Sequence, residues 1–276
     1  MSRILAAIVL VVAVLAAPAG RALETETTGQ AAPTFDQQAA LTLSRGAVGN
    51  QVGDLVFRNR AGETVSLSSF RGKPLIVSMI FTSCANFCLT ISQALANAAD
   101  IAAEAMGADS FNIVSVGFDT AADTPTRMAS FARREGLDAA NWFFLSTDEK
   151  TAQALSREIG FTFAPSPAGF DHVAQTTILD AEGRVFQQVY GTDFAAPFLV
   201  EPLKDLVFGR SSQLTSLEGL VNRVRLFCTV FNPATGRYTF DYSLFIVLGV
   251  GSLCLSLVGG FAVRAWLKTR PGVREA

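Results

Sequence analysis

Leu75-Ile76-Val77-Ser78-Met79-Ile80-Phe81-Thr82-Ser83-Cys84-Ala85-Asn86-Phe87-Cys88 is the stretch on which the reading of this chain turns. Leu75 to Phe81 is a near-continuous apolar run behind Gly72-Lys73-Pro74, the pattern of a strand buried on both faces. From Asn86 to Met106 the apolar positions Phe87, Ile91, Leu95, Ala98 and Ile101 recur at spacings of three and four. That predicts a helix, and Gly107 stops it. Strand, turn and helix together present two thiols at a helix start, with Cys84 and Cys88 one helical turn apart.

The same alternation repeats on either side. Phe111 to Phe118 and Trp142 to Leu145 read as two further buried strands. Thr124-Pro125 opens a helix that Gly136 closes, with proline where a first turn loses no needed hydrogen bond. Ser146-Thr147-Asp148 caps another helix, which runs to Ile159. Gln175–Leu179 and Val185–Tyr190 flank the turn residues Asp180 and Gly183 and predict a hairpin, and Pro197 to Phe208 a last helix. Upstream, Asp54–Phe57 and Thr64–Leu67 are short strand candidates around Asn59-Arg60-Ala61-Gly62. Strands alternating with helices and ending in a hairpin predict an α/β fold, a mixed central sheet flanked by helices. The domain is expected to span 51–209, behind a linker rich in Thr, Ala, Gln and Gly over 23–50.

Both ends of the chain are apolar. A short positive start, the run Ile4–Ala17 and the small residues Ala17-Pro18-Ala19 or Gly20-Arg21-Ala22 predict a cleavable signal peptide over 1–22. The run is short of the ~20 residues that a spanning helix needs. Ser243 to Val263 carries no charge, is long enough to span, and is expected as a transmembrane helix. Arg264, Lys268, Arg270 and Arg274 follow it, so residues 264–276 are expected as a cytoplasmic tail with the domain on the opposite side. Residues 210–242 form a juxtamembrane extension. In it Leu217, Leu220, Val221, Val224, Leu226 and Phe227 predict an amphipathic helix running into Cys228, and Asn232-Pro233-Ala234-Thr235-Gly236 a turn. The net charge is -2 with no basic run, which predicts no attraction to nucleic acid.

The chain has four cysteines and one histidine. At positions i and i+4 of a helix, two Cα atoms lie roughly 6 Å apart, within disulfide reach. The same closeness lets two thiolates grip one soft ion, and helix N-terminal amides lower a thiol's pKa. In an exported chain the pair reads as a structural disulfide, a redox dithiol or a metal site. His172 stands at the end of the Pro- and Gly-containing loop Phe161–Asp171, at the entrance to Gln175–Leu179. If that strand runs antiparallel to Leu75–Phe81, imidazole and thiols converge at one end of the sheet, where open α/β sheets collect ligands. With His172 weighed, the metal site is favoured. Two thiolates and one imidazole suit copper, whereas structural zinc normally takes four ligands. Cys254, mid-span, and Cys228, beyond the domain, are poor candidates for a fourth.

The thiol pair, the later Asp119-Thr120-Ala121-Ala122-Asp123-Thr124-Pro125, and Asp171-His172 ahead of Thr177-Ile178-Leu179-Asp180-Ala181-Glu182-Gly183, in this order, resemble the Sco/SenC family. The resemblance covers about Gln51 to Gly209 and implies a thioredoxin-like fold. It implies copper, as Cu(I) or Cu(II), held by Cys84, Cys88 and His172. It further implies a metallochaperone, inserted in a bacterial inner membrane with its domain in the periplasm, that helps assemble the binuclear copper (CuA) centre of cytochrome c oxidase. The implied partners are the copper-receiving oxidase subunit and other periplasmic copper chaperones. Cys228 to Tyr238 ahead of a span looks like an extension that some bacterial members carry. The prolines usual after each cysteine are Ala85 and Leu89 here, and the one usual after the first loop aspartate is Thr120. Two other readings stand beside this one. In the first, Cys84 and Cys88 are a redox pair, a disulfide when oxidised, and the chain is a specialised thiol-disulfide oxidoreductase that keeps its target's copper-ligand cysteines reduced. General oxidoreductases of this kind usually have two residues between the thiols and a cis-proline before the facing strand, whereas no proline lies between Pro167 and Pro197 here. In the second, the chain is a copper sensor or an assembly scaffold.

Overall fold

The structure is a computed structural model that describes residues 35–84, 87–209, 228–233 and 235–269, with Val221 and Val224. The expected signal peptide over 1–22 lies outside the described residues. So does the amphipathic helix before Cys228, apart from Val221 and Val224, which are helical.

The strand that opens the sequence reading is β3 (Leu75–Ile80), preceded by α1 (Gln37–Gly46), β1 (Val56–Arg58) and β2 (Thr64–Ser66). It is followed by α2 (Phe87–Met106), β4 (Asn112–Gly117), α3 (Pro125–Arg134), β5 (Trp142–Leu145) and α4 (Glu149–Ile159). Then come β6 (Phe163–Ser166), β7 (Gly169–His172), β8 (Gln175–Leu179), β9 (Val185–Tyr190) and α5 (Pro197–Gly209). The last elements are β10 (Thr229–Asn232), β11 (Arg237–Phe240) and α6 (Ser243–Thr269).

β3 is the middle strand of a five-stranded sheet of order β5-β4-β3-β8-β9. β4 and β5 run parallel to it, β8 runs antiparallel to β3, and β9 antiparallel to β8. Every residue of β3 is buried, as expected of an apolar run in the middle of a sheet covered on both faces, and every residue of β8 is buried too, its polar Gln175 and Thr177 hydrogen-bonded to each other at 3.1 Å. Helices α2 and α5 pack on each other, and α5 also rests on β8 and β9. The expected mixed α/β sheet flanked by helices is therefore the fold observed.

Two stretches differ from expectation. The linker expected over 23–50 contains α1. Asp36 caps it by accepting from the Ala39 amide at 2.9 Å, Ala40 is buried, and Ser44 Oγ meets the Tyr190 hydroxyl at 2.8 Å. The docking works because Gly160, which ends α4 at φ +67°, has no Cβ. One added there would stand 2.7 Å from the Leu43 carbonyl oxygen and 2.8 Å from Ala47 Cβ. The polar, small-residue composition hid a helix whose buried face is itself made of alanine and serine. The second stretch is Phe161–Asp171, expected as a loop. It forms the antiparallel pair β6–β7, with Phe163 opposite His172. Gly169 begins β7 at φ +111°, and a Cβ there would meet the Phe81 ring at 2.8 Å. His172 is therefore held at the end of a strand.

Beyond the domain, β10 and β11 pair antiparallel, and β11 packs on α2. Lys204 of α5 is buried (3% exposed) and fastens the hairpin. Its Nζ donates to the Thr229 carbonyl at 2.5 Å, faces Glu201 at 3.3 Å and lies 5.0 Å over the Tyr238 ring. The Tyr238 hydroxyl donates to Glu201 Oε1 at 2.6 Å, and Arg237 pairs with Glu104 of α2 at 3.5 Å. Only Asp241 and Tyr242 separate this hairpin from α6. At 27 residues, α6 is about 40 Å long, against a bilayer core of ~30 Å. Its mean hydropathy reaches 2.3 and its apolar side chains are exposed rather than buried, so it is long and apolar enough to cross a membrane. It continues past the expected end at Val263 to Thr269, taking in Arg264 and Lys268; residues 270–276 lie outside the described residues.

Candidate metal centre

The site is built where β3 ends. The Phe118 amide donates to the Ile80 carbonyl at 2.9 Å, which holds the end of β4 beside the end of β3. Thr82 and Ser83 turn the chain, and the Cys84 amide donates back to the Phe81 carbonyl at 3.2 Å. Helix α2 then begins at Phe87, so Cys84 precedes the helix and Cys88 lies in its first turn. The Cys88 amide donates to Cys84 Sγ at 3.3 Å, so a sulfur satisfies one of the unpaired amides of the helix start. Both thiols are free; Cys84 is half-buried and Cys88 is 1% exposed.

Burial dominates the chemistry of the inner thiol. It pushes Cys88 well above the ordinary thiol range, against a backbone hydrogen bond from Phe81, and the neighbouring Cys84 and Asp123 push the same way. A helix start alone therefore does not make Cys88 acidic, contrary to the simplest reading of its position.

His172 lies half-buried in an aromatic wall. Ring centroids of Phe161, Phe118 and Phe81 stand 5.4, 5.7 and 6.1 Å from its own. Its Nδ1 is 3.0 Å from the Val173 carbonyl oxygen. A carbonyl only accepts, so Nδ1 carries the hydrogen and Nε2 keeps its lone pair. Burial lowers the imidazole below its ordinary 6.5, against the Val173 hydrogen bond and the Asp171 charge, so the ring is neutral at pH 7.

Phe81 stands three residues before Cys84, and β8 is antiparallel to β3, so His172 and the thiols share one end of the sheet. The two thiols are in contact with one another's residues. His172 is seated on a wall of rings that includes Phe81. Among the described residues, no three His, Cys, Asp or Glu side chains gather closely enough to hold a metal ion. By chemistry the donors suit copper, two thiols and an imidazole nitrogen with an available lone pair. Their closure into one set is not present in this structure.

Two features of the site go beyond the sequence reading, in which Asp123 stands within a resemblance motif but is given no contact of its own. The first is the aromatic wall, foreshadowed only by the 22 phenylalanines of the chain; Phe81, Phe118, Phe161, Phe163 and Phe170 form one cluster of rings. The second is Asp123, 1% exposed. Its Oδ1 accepts from the Thr82 amide at 2.8 Å and the Thr82 hydroxyl at 2.7 Å, and its Oδ2 from the Asp119 amide at 3.0 Å. Burial raises its carboxyl above the usual carboxylate range. Besides its place in the motif Asp119–Pro125, its sequence signal is Gly117, where a Cβ would stand 2.4 Å from Asp123 Cβ.

A family model described as SCO1/SenC matches residues 47–207, more than half of the chain. No curated protein matches at a significant level. Among solved structures, a protein of Aquifex aeolicus VF5 is 24% identical at a TM-score of 0.52, covering 57% of this chain and 92% of its own. A SCO1/SenC family lipoprotein of Bacillus anthracis str. Ames is 19% identical at a TM-score of 0.52, covering 57% of this chain and 95% of its own. ScoI of Bradyrhizobium japonicum, solved with copper bound, is 20% identical at a TM-score of 0.46, covering 56% and 97%. The first two share the thioredoxin-like fold of this chain. With the match of the family model over the whole sheet and both halves of the site, the chain belongs to the SCO1/SenC family.

Proposed function

We propose that this chain binds copper through Cys84, Cys88 and Nε2 of His172, and delivers it as a membrane-tethered chaperone to the CuA centre of cytochrome c oxidase. The observation that carries the reading is the free thiol pair at the start of α2, at the same end of the sheet as an imidazole whose Nε2 lone pair is available. Membership of a family with relatives solved with copper bound supports it.

Copper here is cargo, and the residues suit loading and release. His172 is neutral at pH 7 and loses no proton on binding. Cys84 is half-buried and the more accessible of the two thiols, so it is the donor that incoming metal meets first. Cys88 lies beneath it and is released from its thiol form by the charge of the metal, so loading sets free protons. Three ligands of which Cys84 and His172 are only half-buried leave a path for exchange onto a second thiolate pair. Closing the set requires the thiol turn and the β6–β7 hairpin to approach each other. The chain enters the bacterial inner membrane by α6, after removal of the signal peptide 1–22. Its domain 51–209 lies in the periplasm, residues 210–242 join it to the span, and the tail is cytoplasmic. Its partners are the copper-receiving oxidase subunit and other periplasmic copper chaperones.

The full chain in detergent, titrated with Cu(I) and Cu(II) as wild type and as His172→Ala, tests the reading. One copper per chain, a thiolate charge-transfer band in the Cu(II) form and weaker binding in the variant are expected. Identical stoichiometry, affinity and spectrum in the variant would remove His172 from the site. A second reading has its own observation, two free and adjacent thiols in a thioredoxin-like fold. It makes the chain a reductant of the target's copper-ligand cysteines. Reduction of an oxidised CuA-site peptide by a chain that binds no copper would favour it.

A further inference from the structure

We propose that Asp123 is a positioning residue for the copper site: its buried carboxylate fixes the thiol turn against the end of β4 and so sets where Cys84 stands relative to His172. The inference rests on the copper reading above.

A buried carboxylate is costly unless hydrogen-bonded, so its persistence at 1% exposure needs a reason. Asp123 receives three donors from two segments. Thr82 supplies both its amide and its hydroxyl, and it lies inside the turn that ends at Cys84. Asp119 supplies its amide, and it follows Phe118, whose ring stands 5.7 Å from the imidazole of His172. One side chain thus joins the segment carrying the thiols to the segment bearing the wall on which the imidazole rests. An asparagine does not reproduce this. With its oxygen on Thr82, its amide nitrogen faces the Asp119 amide, donor against donor. The backbone is shaped to admit the carboxylate, since any side chain at Gly117 would overlap Asp123 Cβ at 2.4 Å. Thr124, the next residue, caps α3 by accepting from the Arg127 amide at 3.4 Å, so Asp123 is also held from behind.

The test uses the full chain in detergent as wild type, Asp123→Asn and Thr82→Val, the last removing only the hydroxyl. Circular dichroism and thermal unfolding report the fold. Three readouts report the site: Cu(I) affinity by competition with a chromogenic chelator, the Cu(II)–thiolate absorption band, and the dithiol–disulfide equilibrium of Cys84 and Cys88 in copper-free glutathione buffer. Asp123→Asn is expected to weaken Cu(I) binding about tenfold, the size of one charged hydrogen bond lost. It is also expected to move the band and shift the dithiol equilibrium. Thr82→Val moves all three the same way by a smaller factor. A folded Asp123→Asn chain equal to wild type in all three overturns the proposal. If Asp123→Asn does not fold, Thr82→Val decides, and unmoved readouts overturn it. If wild type binds no copper, the copper reading falls, and the dithiol equilibrium alone decides whether Asp123 positions the thiol turn.

Discussion

Lys204 is expected to hold the β10–β11 hairpin on the domain, and Lys204→Met measures how strongly. Methionine keeps the apolar stem and removes the ammonium. The bond to the Thr229 carbonyl at 2.5 Å is charge-assisted and contributes roughly 1.5–3 kcal/mol. Glu201 is 49% exposed at its side chain, so its pairing adds at most about 1 kcal/mol. The ammonium lies 5.0 Å over the Tyr238 ring, a contact of about 0.5–2 kcal/mol. These overlap and do not add, which leaves about 3 kcal/mol as the working figure. That is a change of roughly a hundredfold in the opening equilibrium of the hairpin. Cys228 reports opening, because it is 4% exposed at the base of the hairpin and its carbonyl accepts from the Asp241 amide at 2.6 Å. In a Cys84→Ser, Cys88→Ser, Cys254→Ser background, alkylation of Cys228 in the full chain should accelerate by about that factor, provided opening is fast compared with labelling. An equal rate in both chains would refute the reasoning. It would mean that the apolar contacts of the hairpin hold it without Lys204.

Limited alkylation at mildly alkaline pH, followed by peptide mass analysis, should mark Cys84 before Cys88. The first is half-buried, whereas the second is buried and its thiol is shifted up; early modification of Cys88 would contradict the geometry. The pH dependence of stability should carry a His172 component. Its folded value lies below the ordinary 6.5, so below that pH the unfolded chain binds a proton that the folded chain refuses. This contribution is complete above 6.5 and is lost as pH falls toward the folded value, so urea midpoints should fall less on acidification in His172→Gln than in wild type. Gly160→Ala places a Cβ against Leu43 and Ala47 at φ +67° and should cost about 2–4 kcal/mol in chemical unfolding. A loss under about 0.5 kcal/mol would mean that α1 is not docked as described.

Much of the fold is legible because it is local. Leu75–Ile80 is apolar without a break, Phe87 to Ile101 repeats at helical spacing, and Asp180 and Gly183 close a turn whose Asp180 Oδ1 accepts from the Glu182 and Arg184 amides at 2.9 Å. Helix α1 and strands β6 and β7 are not legible in this way. Their stability comes from partners remote in sequence, such as Tyr190 for Ser44 and Phe81 for the turn at Gly169. The candidate ligands divide along the same line. Cys84 and Cys88 declare themselves by spacing, and their contact is set within five residues of chain. His172 declares itself less directly, by being the one histidine, by standing ahead of Gln175–Leu179 and by the Asp171-His172 motif.

The sequence by itself determined the strands of the central sheet and helices α2 to α5, the pair of thiols at a helix start and the apolar stretch at Ser243, because periodicity, capping and hydropathy are properties of neighbouring residues. Tertiary structure alone decided the state of those groups. Cys88 is pushed up because the sheet buries it, and His172 is neutral with a hydrogen on Nδ1 because rings and a carbonyl surround it. Asp123 reaches Thr82 across 41 residues because β3 and β4 are parallel neighbours whose ends meet. Burial and hydrogen bonding depend on what the fold places nearby in space, and no local pattern in the chain encodes them.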